Sequence, residues 1–233
     1  MSEPLPILLV PGLNCTPHLY APQIPALWAF GPVTVADHRR DDSVEAIAAT
    51  ILAAAPPRFV LMGLSLGGYI AFAILRAAPE RVASLALLDT SARPDAPAQT
   101  ERRRGHIELA RSGRFALIPE LQFPLLVHQN RHNDAALKHI VAQMAQETGP
   151  EAFVRQQYAI MNRPDSRPGL GAIRSPTLVL VGDGDQLTPP ELAAEMHALI
   201  PASRLVTIPD CGHLSTIERP EAVNRTLAEW MRS

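Results

Sequence analysis

Six short apolar runs punctuate the chain: Ile7–Val10, Val33–Ala36, Phe59–Leu64, Val82–Leu88, Thr177–Val181 and Arg204–Ile208. Most are continuous rather than alternating, and a strand that is apolar at every position must be covered on both faces. The segments between the runs read as the covering helices. Asp42-Ser-Val-Glu45 has the form of a capping box, opening a helix that Pro56 and Pro57 stop near Ala55. Leu66–Ala78 follows the third run and ends at Pro79, while Pro190–Ile200 and Pro220–Arg232 each start with proline at a tolerated first-turn position. Strands alternating with helices demand right-handed crossovers. The expected fold is α/β, a mainly parallel sheet of about six strands flanked by helices.

The alternation breaks between Ala92 and Asp165, where no strand is readable. Helical patterns run near Ala98–Ser112, Asp134–Thr148 and Glu151–Asn162, with apolar residues at Phe115, Leu117, Leu121, Phe123, Leu125 and Leu126. Ten basic residues face eight acidic ones in this block, so its charge nearly cancels. One continuous helical block before the last two strands is expected to form a lid over the carboxyl ends of the strands, where open α/β sheets place ligands. The organisation expected is a core of residues 1–91 and 166–233 with a helical lid over 92–165.

Composition excludes several classes of function. A net charge of -2 across 233 residues lacks the basic excess of a nucleic-acid-binding chain. Cys15 and Cys211 are too few for a disulfide framework and show no paired metal spacing. The uncharged stretch Phe59–Leu75 approaches membrane-spanning length, yet Gly63, Ser65, Gly67 and Gly68 interrupt its middle and mark a strand, a turn and a helix. No basic region followed by an apolar stretch opens the chain, so a soluble cytoplasmic protein without a membrane or nucleic-acid partner is expected. His128 and His132 stand at helical spacing without a third ligand, and no metal site is expected.

Gly63-Leu-Ser65-Leu-Gly67 fits G-x-S-x-G and lies where the third strand meets a helix. A serine on so sharp a turn adopts a strained backbone and presents its hydroxyl outward, and only small residues fit two positions to either side. A serine hydroxyl needs a base to take its proton. His213, just past the last strand in Asp210-Cys-Gly-His213, is placed at the same sheet edge; His18 and His38 also follow strands. The base needs a carboxylate to fix its tautomer. Asp183 and Asp185 follow the fifth strand and Asp89 follows the fourth; location favours the Asp183/Asp185 loop. Backbone N–H groups from the Pro11-Gly12 loop and from Leu66, at a helix N-terminus, are available to hold an oxyanion, each worth about 3 kcal/mol.

With these residues in place the chain resembles the α/β-hydrolase fold superfamily. The resemblance rests on Gly63-Leu-Ser-Leu-Gly-Gly68, Pro79-Glu-Arg-Val82, Leu87-Leu-Asp-Thr90, the Gly182–Pro189 loop, and Gly212-His213 followed by Glu218-Arg-Pro-Glu221. It runs from Ile7 to Arg232 and carries the order Ser, Asp, His. It implies a catalytic triad of Ser65, Asp185 and His213, choosing Asp185 because it stands four residues before the loop proline. Leu13 takes the position of the first oxyanion donor and Leu66 the second. The usual His-Gly before that donor is Pro11-Gly12 here, so the loop lacks its customary support. The chain starts at what would be the family's third strand, which implies six parallel strands and no antiparallel edge.

The implied activity is a cofactor-free serine esterase acting on small, mostly apolar esters through an acyl-enzyme, with a carbon–carbon bond or thioester hydrolase, a perhydrolase, and a lyase or ligand receptor as rivals. Phe123, Tyr158 and Met161 of the lid are the expected pocket residues. The near-neutral lid gives no reason to expect a strongly anionic substrate; the run Arg102-Arg-Arg104 offers a contact for a carboxylate, but a charge run on a helix is usually a solvated face.

Overall fold

The computed structural model describes residues 4–233; the opening residues Met1–Glu3, part of the segment read above for a leader, lie outside it. Its sheet consists of β1 (Ile7–Val10), β2 (Val33–Val35), β3 (Phe59–Leu64), β4 (Val82–Leu88), β5 (Thr177–Gly182) and β6 (Ser203–Ile208). All pairings are parallel and the spatial order is β2-β1-β3-β4-β5-β6. Strand order reverses between β1 and β3, so the crevice at their carboxyl ends is the natural ligand position of this topology.

The longer helices are α1 (Val44–Ala54), α2 (Leu66–Ala77), α3 (Pro97–Leu109), α4 (Ile118–Leu126), α5 (Ala135–Thr148), α6 (Pro150–Met161), α7 (Pro190–Leu199) and α8 (Pro220–Arg232). The cap of α1 lies one residue later than the sequence suggests: the Ser43 hydroxyl accepts the Ala46 N–H, while Asp41 takes up Thr50. Successive strand residues point to opposite faces and divide the core in two. Leu8, Val10, Leu61, Leu85, Leu87, Val179 and Val181 pack with residues of α1, α2 and α7. Ile7, Leu9, Met62, Leu64, Ala86, Leu88 and Leu180 pack on the other face with α8 and with Phe123, Leu137, Val141 and Met144 of α4 and α5. The central strands are buried at nearly every position, whereas the edge strands β2 and β6 are only partly buried. Among the described residues, no helix is long and apolar enough to cross a membrane.

Residues 92–165 hold α3 to α6 and no strand. Their ends meet: the Ser166 N–H donates to the Ala92 carbonyl at 2.8 Å, and Arg163 Nε donates to the Arg93 carbonyl at 3.0 Å. The helix α4 is absent from the sequence reading, because Pro119 and Pro124 look like loop punctuation. Pro119 occupies the first turn, where no N–H is needed, and Pro124 sits near the end of the helix.

Candidate active site

Between β3 and α2 the chain turns on Ser65, whose φ of 54° and ψ of -113° lie in a region that non-glycine residues avoid. Its neighbours make the turn possible. A Cβ on Gly63 would overlap the Gly67 carbonyl, and a Cβ on Gly67 would overlap the Val10 carbonyl, so neither position accepts a side chain. The turn is tied to β4 through the Ser65 N–H on the Leu88 carbonyl at 3.0 Å and the Thr90 hydroxyl on the Ser65 carbonyl at 2.8 Å.

The loop after β6 brings His213 to this serine, with Nε2 2.9 Å from Ser65 Oγ and Nδ1 2.8 Å from Asp185 Oδ2. Both His213 and Asp185 are buried. The Asp185 carboxylate also accepts the Leu187 N–H at 2.8 Å, the Thr188 N–H at 2.9 Å and the Thr188 hydroxyl at 2.7 Å. Burial opposes a charged His213 ring, but the Asp185 carboxylate outweighs it, and the histidine pKa ends above its ordinary value. A proton taken from Ser65 is therefore held by a base whose cation the site stabilises.

Each rival acid holds a loop instead. Asp183 accepts the Cys211 N–H at 3.1 Å, two residues before His213. Asp89 is fully buried and accepts the Gly182 N–H at 3.0 Å together with the Ser215 hydroxyl. Burial, followed by the Asp185 charge, pushes the Asp89 pKa well above the ordinary carboxylate value. Glu218 secures the same region by accepting the Gly212 and His128 N–H groups.

Among the described residues, neither the Leu13 nor the Leu66 N–H has a hydrogen-bond partner. The loop carrying Leu13 lacks the usual histidine but is supported from elsewhere. His38, after β2, donates from Nε2 to the Gly12 carbonyl at 2.9 Å, and Gln156 of α6 accepts the Asn14 N–H at 2.9 Å. Burial depresses the His38 pKa to about 4, which keeps the ring neutral. His38 was legible as a candidate base by its position after a strand; its role as a brace was not, and Gln156 carries no sequence signal at all. Gly12, Leu13, Ser65 and His213 open into a cleft of about 230 Å³.

Residues 13–220 match the alpha/beta hydrolase fold family. The chain belongs to that family. A thermophilic esterase from Thermogutta terrifontis, solved with malate bound, is 34% identical with a TM-score of 0.88, covering 100% of this chain and 91% of the other. A pimeloyl-[acyl-carrier protein] methyl ester esterase from Neisseria meningitidis serogroup C is 26% identical over 231 residues, 93% of this chain and 89% of that protein. BpoC of Mycobacterium tuberculosis, which carries the name of a non-heme bromoperoxidase, is 32% identical over 185 residues, 77% of this chain and 69% of its own length.

In this alpha/beta hydrolase the three expected pocket residues lie away from the cleft. Phe123 is buried in the core beneath α5, with the Lys138 ammonium 5.5 Å from its ring centre. Tyr158 and Met161 line a separate outer cavity with Arg104, Ile107 and Glu108, and the Tyr158 hydroxyl accepts from Arg111 at 2.9 Å. Helix phase explains the error: each residue of α6 turns about 100° from the last, so Gln156, Gln157 and Ile160 face inward while Tyr158 and Met161 face out. The cleft is lined instead by aliphatic residues including Leu125, Leu126, Ile160 and Leu192, and by arginines of the helical segment. His18 pairs with Glu147 at 3.1 Å, and the His132 ring lies 3.0 Å from the Pro124 carbonyl, so neither joins Ser65. Among the described residues, no three His, Cys, Asp or Glu side chains are grouped to hold a metal ion.

Proposed function

We propose that this alpha/beta hydrolase cleaves small carboxylic esters through an acyl-enzyme on Ser65. The observation that carries the reading is the continuous hydrogen-bonded series Ser65 Oγ, His213 and Asp185, with steps of 2.9 and 2.8 Å. Esterases among the relatives support it. Ser65 Oγ attacks the ester carbonyl carbon while His213 Nε2 takes its proton, and the carbonyl electron pair moves onto oxygen. The unpartnered N–H groups of Leu13 and Leu66 are the donors for that oxyanion. As the tetrahedral species collapses, His213 returns the proton to the departing alkoxide and the C–O bond breaks. Water then attacks the acyl-enzyme with His213 as base, releasing the acid and restoring the Ser65 hydroxyl. Asp185 stays ionised throughout and stabilises the imidazolium.

Under this reading residues 92–165 act as the lid of the cleft, the partner is a small-molecule ester, and the chemistry draws on no metal or organic cofactor. Two unpaired buried thiols suit a cytoplasmic enzyme. The test is covalent labelling of Ser65 by a fluorophosphonate together with turnover of p-nitrophenyl acetate and butyrate. Labelling that maps to Ser65 and disappears in H213A is expected. Ester turnover that survives Ser65→Ala would refute the assignment.

A further inference from the structure

The cleft has a cationic lining. Arg93, Arg102, Arg103 and Arg163 all line it, and among the described residues no Asp or Glu does. The near-zero charge of the helical segment conceals this sorting. The triplet Arg102-Arg-Arg104 is not one solvated face: Arg104 is exposed and pairs with exposed Glu101, whereas the Arg103 side chain is only 16% exposed.

Arg103 and Arg163 share one carboxylate. Arg103 Nε lies 3.2 Å from Asp95, and Arg163 Nη1 lies 2.9 Å from the same side chain, which is itself 1% exposed. Two largely buried guanidiniums against one carboxylate leave one positive charge in the wall without a counterion, and a buried charge in that condition calls for an anion. The remaining contacts fix the pair without neutralising it. Arg103 Nη1 donates to Gln157 at 3.0 Å; Arg163 donates to the Ile160 and Arg93 carbonyls and lies 4.2 Å from the Tyr69 ring centre. The Nη2 groups of both arginines have no acceptor among the described residues and are not fully buried. Arg93 differs, being matched by Glu195 at 2.9 Å. Burial, then the charges of Arg102 and Arg103, lower the pKa of His106, which also lines the cleft.

We propose that Arg103 and Arg163 form an anion subsite that selects esters bearing a free carboxylate at the end remote from the scissile bond. A planar guanidinium pair offers parallel donors matched to a carboxylate. Leu125, Leu126, Leu187, Leu192 and Leu214 supply an apolar wall for the short chain between the two ends. The inference rests on the ester-hydrolase reading for its substrate, but the subsite itself is a statement about binding.

The experiment compares kcat/KM for monomethyl and dimethyl glutarate in the wild type, R103Q and R104Q, with glutarate binding to each measured by calorimetry. The wild type is expected to favour the half-ester and to bind glutarate. In R103Q that preference should fall about tenfold or more, with glutarate binding lost, while R104Q, which removes the same charge, should keep both. Rising salt should erode the wild-type preference, a readout that holds even if R103Q fails to fold. Equal use of both esters without glutarate binding, or an equal loss in R104Q, overturns the subsite and leaves ester hydrolysis standing. Glutarate bound by the wild type and not by R103Q, with neither ester cleaved, upholds the subsite and overturns the ester reading. Neither cleavage nor binding overturns both.

Discussion

The floor of the cleft and its proposed roof are built on opposite principles. The floor is the carboxyl edge of the sheet, where Asn14, Ser65, Asp89 and Asp210 all take positive φ values of 43° to 58° after the ends of β1, β3, β4 and β6. Strain is gathered where atoms must be placed, and the carboxylate that meets His213 is surrounded by donors, Asp185 accepting from His213, Thr188 and Leu187. The roof, residues 92–165, is made of helices joined by a π-helical turn at Ala110–Arg114 and short 3-10 turns, and among the described residues its positive-φ positions are glycines, Gly113 and Gly149. Its character lies in side chains, with two guanidiniums on one Asp95. Under the proposed function and the proposed anion subsite, the floor sets where bonds are made and the roof sets what charge enters; reactivity would then be a property of backbone and selectivity a property of rotamers on helices.

The largest effect should come from the floor. Ser65→Ala should lower ester kcat/KM by about 10⁵-fold or more, measured with p-nitrophenyl butyrate, and should leave folding intact because the change removes a single oxygen. Asp185→Asn should cost about 10⁴-fold and should also move the acidic limb of the pH–rate profile. Asp185 holds the His213 pKa above the ordinary imidazole value, so wild-type activity, which needs the neutral base, is lost as pH falls through that raised pKa. With Asn the limb should shift to lower pH. An unchanged limb would show that another group titrates.

A change in the roof that reaches the core tests the boundary between the regions. Phe123→Ala should destabilise the fold by about 3 to 5 kcal/mol, seen as a lowered denaturant midpoint, because Phe123 belongs to the sheet's core rather than to the pocket. His38 joins the two regions and gives a pH signature. Its folded pKa of about 4 lies below the ordinary imidazole value, so the unfolded chain binds more protons between the two. Its contribution is complete above about pH 6.5 and is lost as pH falls toward 4, by about 3 kcal/mol in all. His38→Gln should flatten that part of the stability curve. Smallest of all, Tyr158→Phe should leave kcat/KM unchanged and shift stability by about 0.5 kcal/mol or less, since its hydroxyl meets only Arg111 on the outer surface.

What could be read from the chain follows the same division. The strands β3 and β4 have the bounds that their apolar runs suggest: β3 is buried at every position, and the polar residue of β4, Ser84, stands where that strand is only partly buried. The elbow was legible because Gly63 and Gly67 are required by backbone overlap, a local cause with a local signal. The choice between Asp183 and Asp185 was not, on residues alone: both follow β5, and only the folded loop turns one to His213 and the other to the Cys211 N–H. The roof hid more. The two prolines of α4 mask a helix, Tyr158 and Met161 differ from inward-facing Ile160 only by rotation about the axis, and Asp95 pairs both with nearby Arg103 and with Arg163, which is 68 residues away. Net charge summed over a segment cannot show which charges are neutralised.

The link between Ala92 and Ser166 has a consequence for how such a molecule can change. Because the chain leaves β4 and returns toward β5 through one clasp, everything between is a closed excursion, and neighbouring strands stay in register whatever its length. A different set of helices spliced at that clasp would have to supply again the Phe123 core contact, the Gln156 hold on the Asn14 N–H and the His128 N–H on Glu218, so this stretch can be exchanged only together with what it lends to the serine and imidazole loops.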